Sequence, residues 1–136
     1  MRVLGLDYGL KRLGVAVSDE LGITAQSLLV IERKNEKKDL EAIARIIHEY
    51  HIEKIVIGYP LLLDGSKGIQ CEKVDRYAER LSAEFNLPVI KWDETLSTWE
   101  ADELMSEAGV KRRKRKKLVD KIAAGIMLQS YLDRLK

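Results

Sequence analysis

The sequence predicts an α/β fold, a mixed β-sheet flanked by helices on both faces. Two Val- and Leu-rich runs lie close together near the start, Arg2 to Asp7 and Leu13 to Asp19, and predict an antiparallel hairpin. Farther on, short apolar runs alternate with amphipathic stretches, which predicts parallel strands joined by right-handed helical crossovers. The 136 residues are 46% apolar, enough to pack one core, so a single domain over 1–136 is expected.

Element by element, Tyr8 to Arg12 makes the basic tip of the hairpin, and Gln26 to Arg33 supplies a third strand. Asn35 offers an N-cap, after which Leu40, Ile43, Ile46, Ile47 and Tyr50 recur at helical spacing. Lys54 to Gly58 has the apolar character of a buried strand, and a loop runs from Tyr59 to about Gly68. Cys71, Val74, Tyr77, Ala78, Leu81 and Phe85 form a second helical stripe. Pro88 to Trp92 reads as a strand ending in Asp93 and Glu94. Ser97 with Glu100 matches a capping box, so a helix is expected from there to just before Gly109. The last helix is expected over Leu118 to Leu135, with Leu118, Ile122, Ala123, Ile126 and the neighbours of Ser130 as its apolar face.

Composition narrows the function classes. No apolar run approaches the roughly 18 residues that a spanning helix needs, and no charged-then-apolar leader opens the chain. The lone Cys71 excludes an internal disulfide and a cysteine-rich zinc site. A soluble, cytoplasmic protein is expected.

The net charge of +2 conceals an asymmetry. Lys111, Arg112, Arg113, Lys114, Arg115, Lys116 and Lys117 are consecutive, and without those seven the 24 basic residues fall to 17, against 22 acidic ones. A basic patch therefore sits on an acidic body, which favours a polyanionic partner, nucleic acid first. Adjacent like charges repel, so folding alone gives no reason for the run; a phosphate-contacting loop explains it better than an idle solvated one. Lys11 and Arg12 at the hairpin tip extend that surface.

Carboxylates fall at telling places. Asp7 closes the first strand, Asp93 and Glu94 close the last, and Asp120 lies in the first turn of the expected final helix. Ligands of open α/β sheets collect at the carboxyl ends of strands. Several carboxylates at one point repel unless a cation joins them, and hard oxygen donors favour Mg²⁺ or Mn²⁺. Two such ions about 4 Å apart can activate a water and stabilise the leaving oxygen of a phosphodiester. Taken singly, each residue has a plainer role: Asp7 before Gly9 as a turn residue, Glu94 or Asp120 as complements to a helix dipole. Of the adjacent pair, the longer Glu94 is expected as the ligand and Asp93 as its support. The strand Val89 to Trp92 leaves open which of them shares a face with Asp7.

Other features carry less. His48 and His51 lack a third ligand, and Cys71 lies on an apolar stripe. Gly65-Ser66-Lys67-Gly68 lacks the full phosphate-loop spacing. Trp92 is expected to pack, and Trp99 to offer a stacking surface.

Gly5-Leu6-Asp7-Tyr8-Gly9 and Lys11 to Asp19 resemble the opening of the bacterial YqgF family. The resemblance continues through Ile57-Gly58-Tyr59-Pro60, Asp64 to Gly68, Trp92 to Thr98 and Lys116 to Ala124, in the family's order across nearly the whole chain. It implies a RuvC-like protein with a ribonuclease H-like fold, a family described both as Holliday junction resolvases and as nucleases maturing the 5′ end of pre-16S ribosomal RNA. It also implies a metal site of Asp7, the Asp93-Glu94 pair and Asp120, holding Mg²⁺ or Mn²⁺. Tyr59 and Thr95 stand where the family more often has Leu and Arg, and the second change removes a potential phosphate contact. A metal-dependent nuclease acting on pre-rRNA or branched DNA, as monomer or homodimer, is the expected function. A non-catalytic nucleic-acid-binding module is the alternative. A phosphotransferase of the actin and sugar-kinase type would need two such domains.

Overall fold

The computed structural model describes residues 1–61, 64–93, 106–107, 109 and 112–135, and of 112–120 the helical backbone alone. Its elements are β1 (Arg2–Tyr8), β2 (Arg12–Ser18), β3 (Ala25–Glu32), α1 (Glu36–Tyr50), β4 (Ile52–Tyr59), α2 (Ile69–Phe85), β5 (Val89–Asp93) and α3 (Arg112–Arg134). The strands form one sheet in the order β3-β2-β1-β4-β5. β1, β2 and β3 pair antiparallel, while β1–β4 and β4–β5 are parallel, so the sheet is mixed as the sequence predicts.

Local chemistry explains the boundaries. Asn35 caps α1 from an extended backbone, its side-chain oxygen accepting from the Lys38 amide at 2.9 Å. α1 and α2 end at His51 and Asn86, both in the left-handed conformation at φ 53°. The β2–β3 turn is organised by Asp19, whose Oδ1 accepts from the amides of Ile23 (2.7 Å) and Thr24 (3.1 Å). Those hydrogen bonds, the Thr24 amide foremost, hold the Asp19 carboxyl below its usual range. The helix expected after Ser97 lies outside the described residues, apart from helical Ser106–Glu107 and Gly109 at φ 74°.

Two cores flank the sheet. On one face Leu4, Leu6, Leu13, Val15, Ile55 and Ile57 meet the apolar stripes of α1 and α2. On the other, Val3, Ala16 and Val56 meet Ala124, Met127, Leu128, Tyr131 and Leu132 of α3. The buried stripe of α3 thus differs from the expected one: Ala123 is buried as predicted, but Ile122 and Ile126 are only half-buried. The small residues on this side let the helix come close. A Cβ on Gly5 would stand 3.0 Å from Leu128 Cβ, and one on Gly125 would press on the Ser27 hydroxyl. Among the described residues no helix is long and apolar enough to cross a membrane.

Candidate active site

Alternation along β1 decides which way its last carboxylate faces. Leu4 and Leu6 belong to the α1/α2 core, with Tyr8 packed against it, whereas Val3 and Gly5 meet α3. Asp7 has the phase of Val3 and Gly5, so the half-buried carboxylate sits on the α3 face. Because β1, β4 and β5 are parallel, Tyr8, Tyr59 and Asp93 end at one edge of the sheet.

β5 resolves the phase that the sequence leaves open. Ile90 and Trp92 pack on the α3 side, and the Trp92 indole donates to Ser130 Oγ at 3.3 Å while standing edge-on to Tyr131. Lys91 lies on the other side, where its Nζ donates to Asp75 Oδ1 of α2 at 2.6 Å. Asp93 pairs across with Tyr59 and shares the phase of Lys91, away from the face of Asp7. The α3 face belongs to the even positions of this strand. Glu94 and Thr95 lie outside the described residues.

The basic run requires a correction. Arg112, Arg113, Lys114, Arg115, Lys116 and Lys117 are not in a loop; their backbone forms the opening turns of α3, which starts six residues earlier than Leu118. Lys and Arg are good helix formers, and a long helix anchored on the sheet by its other half propagates through them despite the dipole, which disfavours cations at an N-terminus. Lys111 lies outside the described residues. Asp120 consequently falls in the third turn rather than the first, too deep to serve as a dipole complement. Position 120 continues the 124–128–132 row that is buried against the sheet.

At the hairpin tip Lys11 is exposed, and Arg12 Nε lies 3.2 Å from Glu32 Oε1. Behind the tip stands a cluster that the sequence reading misses. Arg33 Nε lies 3.1 Å from Asp39 Oδ2, its NH1 donates to the Gly9 carbonyl at 2.9 Å, and its amide donates to the Lys11 carbonyl at 2.8 Å. The guanidinium also stacks over Tyr8 (4.8 Å) and Tyr77 (5.3 Å). Burial works to lower the Arg33 pKa, but hydrogen bonding with Tyr8 and Asp39 outweighs it and holds the group above its ordinary range. The signal available in the sequence was Asp39, an acidic residue beside Leu40 on the buried flank of α1.

The minor candidates resolve plainly. His48 and His51 are exposed at the end of α1, and Cys71 is buried. Asp64 closes its own turn by accepting from the Ser66 amide (2.8 Å) and hydroxyl (2.6 Å), which leaves a turn rather than a phosphate cradle. Tyr59 is buried and its hydroxyl donates to Asp75 Oδ2 at 3.2 Å; burial pushes its pKa up to about 12. The departure at Tyr59 is thus accommodated by packing. Among the described residues no three His, Cys, Asp or Glu side chains are grouped to hold a metal ion. The arrangement brings one hard carboxylate, Asp7, to a strand end beneath α3.

Comparison with known proteins places these features in context. Residues 1–134 match the family model described as RuvX: Holliday junction resolvase. A relative from Syntrophus aciditrophicus (strain SB), named "Putative pre-16S rRNA nuclease", is 58% identical over 135 residues, covering 99% of this chain and 90% of the relative. One from Geobacillus kaustophilus (strain HTA426), with the same name, is 50% identical and covered to 98% on both sides. Among solved structures, T. thermophilus RuvC in complex with a Holliday junction substrate is similar in fold, with a TM-score of 0.55 at 20% identity, covering 99% of this chain and 96% of that one. The fowlpox virus Holliday junction resolvase gives 0.54 at 17% identity, with 98% and 99% covered.

Proposed function

The chain belongs to the RuvX family, and from that premise we propose that it is a metal-dependent nuclease that hydrolyses phosphodiester bonds in processing the 5′ end of pre-16S rRNA. The observation that carries this reading is the Asp7 carboxylate, half-buried at the carboxyl end of β1 on the face that α3 covers. A carboxylate there adds nothing to the apolar core but suits a hard cation. Asp7, Glu94 and Asp120 are the proposed ligands. For Asp120 the support is its place on the sheet-facing row of α3, whose Leu128 packs on Gly5, two residues before Asp7. For Glu94 it is the phase of β5, which turns Asp93 to the α2 side. Bound Mg²⁺ or Mn²⁺ would lower the pKa of the attacking water and offset charge on the leaving oxygen. The chain's own residues orient the strand: Lys11, Arg12 and the cations of 111–117 contact phosphates without reading sequence.

The family description supports a second reading, resolution of four-way DNA junctions, which requires two active sites and therefore a homodimer. The test is cleavage in Mg²⁺ or Mn²⁺ of a pre-16S leader RNA, a four-way junction and plain duplexes. Preferred cutting of the leader sustains the proposal, preferred cutting of the junction installs the second reading, and no cutting of any of them refutes both. Metal titration of Glu94→Gln against Asp93→Asn tests the ligand choice. Loss of Mn²⁺ binding in Asp93→Asn alone would reverse it.

A further inference from the structure

A second charged feature lies across the sheet from Asp7. A cavity of ≈ 230 Å³ is lined by Tyr8, Arg33, Glu36, Lys73, Arg76, Tyr77 and Arg80, between the start of α1 and one flank of α2. Four of its walls are cationic and one is a carboxylate. Glu36 is engaged by Arg80 at 2.9 Å, and Arg33 is held by the buried Asp39. Lys73 and Arg76 pair with no carboxylate among the described residues. Tyr77 lines the cavity with its ring, and its hydroxyl is shielded behind the wall. Two unneutralised cations on one cavity wall call for an acceptor-rich anion.

The size and the rings decide what kind. The volume falls below the roughly 300–1,000 Å³ typical of small-molecule sites. The two tyrosines that a nucleobase would stack on already pack with each other, ring centroids 5.0 Å apart, and with Arg33. That leaves room for an oxyanion and no free aromatic face for a base. The position matters equally, since Tyr8 follows Asp7 directly and Arg33 holds the carbonyl of Gly9.

We propose that this cavity binds a phosphodiester group of the nucleic-acid strand whose neighbouring phosphates reach Asp7, with Lys73 and Arg76 as the contacting cations. The inference rests on the nuclease reading and adds a phosphate contact on the face opposite α3. It extends the nucleic-acid surface from the 111–117 run, around the hairpin tip, to α2.

The test is fluorescence anisotropy of the full chain with labelled single-stranded and duplex RNA in EDTA, from about 50 to 200 mM salt. Each lost phosphate contact lowers the slope of log K against log salt by about 0.7 on single strands and 0.9 on duplex B-DNA. Lys73→Gln/Arg76→Gln should therefore flatten the slope by about 1.4 on the single strand. Lys38→Gln/Arg45→Gln, which removes equal charge from exposed positions of α1, should change it little. Equal flattening in both variants reduces the effect to net charge and overturns the inference. An unchanged slope in Lys73→Gln/Arg76→Gln, with binding and cleavage by the unaltered chain intact, overturns this inference alone. Failure of the unaltered chain to bind any nucleic acid overturns the nuclease reading as well. Inorganic phosphate offers the remaining arm: thermal stabilisation that the double variant loses, alongside an unchanged RNA slope, would assign the cavity to a free anion instead.

Discussion

The α3 face and the α1/α2 face of the sheet meet the end of β1 on different terms. On the α3 face the strand presents Val3, Gly5 and Asp7; Val3 packs with Ala124, Met127, Leu128, Tyr131 and Leu132, and Gly5 leaves room for Leu128 to lie directly on the strand. On the other face it presents Leu4, Leu6 and Tyr8 against two helices with large aliphatic side chains, and a buried ion pair closes the layer at its rim. One side ends in a carboxylate; the other ends in a guanidinium. On the second side Arg33 ties down the turn after that strand end through the Gly9 carbonyl.

Removing Asp7 breaks the comparison most sharply. Loss of even an outer-shell partner of a metal site costs about 10–100-fold, so Asp7→Asn should lower cleavage by more than about 10²-fold. Urea stability and RNA affinity should stay near those of the unaltered chain. A folded variant with full activity would remove Asp7 from the site.

On the opposite face the expected damage is structural. Asp39→Ala strands the Arg33 guanidinium; the Arg33 side chain is 17% exposed, that of Asp39 2%. Breaking a buried pair from one side costs about 3–5 kcal/mol, and the remaining bond to Gly9 favours the low end. Urea denaturation should show about 3 kcal/mol; a change under 1 kcal/mol would mean that the pair does not close this layer.

Gly5→Ala tests the α3 face. The new Cβ would lie 3.0 Å from Leu128 Cβ, an atom that no rotamer change can move away. Overpacking of this kind costs about 1–3 kcal/mol. Because α3 carries position 120, turnover by the folded fraction should fall too; stability loss with unchanged turnover would uncouple helix placement from catalysis.

The smallest effect is a pH dependence at the β5 edge. The Lys91 ammonium, with help from the Tyr59 hydroxyl, holds the Asp75 carboxyl below its ordinary 3.8. A depressed folded-state pKa contributes stability that is present above the unfolded value and lost as pH falls through the folded one. Asp75→Asn should therefore flatten the decline of Tm below about pH 4 and leave its slope near neutrality unchanged. An unaltered acid limb would show that the pair contributes nothing to folding.

Much of this architecture was legible along the chain because it depends on local pattern. Val- and Leu-rich runs marked β1 and β2, helical spacing marked α1 and α2, and Asn35 marked the cap of α1, which its side chain makes with the Lys38 amide. The placement of Asp7 at a strand end followed from the same signals. What the sequence could not settle was phase and reach. That Asp93 lies away from the face of Asp7 is decided by Lys91 finding Asp75 of α2 and Trp92 finding Ser130 of α3. The sequence puts the start of α3 too late because charge repulsion is visible in it, whereas the anchoring that offsets that repulsion comes from Met127, Leu128 and Tyr131 packed on a distant sheet. Arg33 lies in the loop before α1 and Asp39 within that helix, and only the fold shows that the pair clamps the turn after Asp7, 24 residues away from Arg33 along the chain. Alternation and capping act between near neighbours and are written in the chain; layer assignment and contacts such as Arg33 to the Gly9 carbonyl join segments far apart and belong to the tertiary structure.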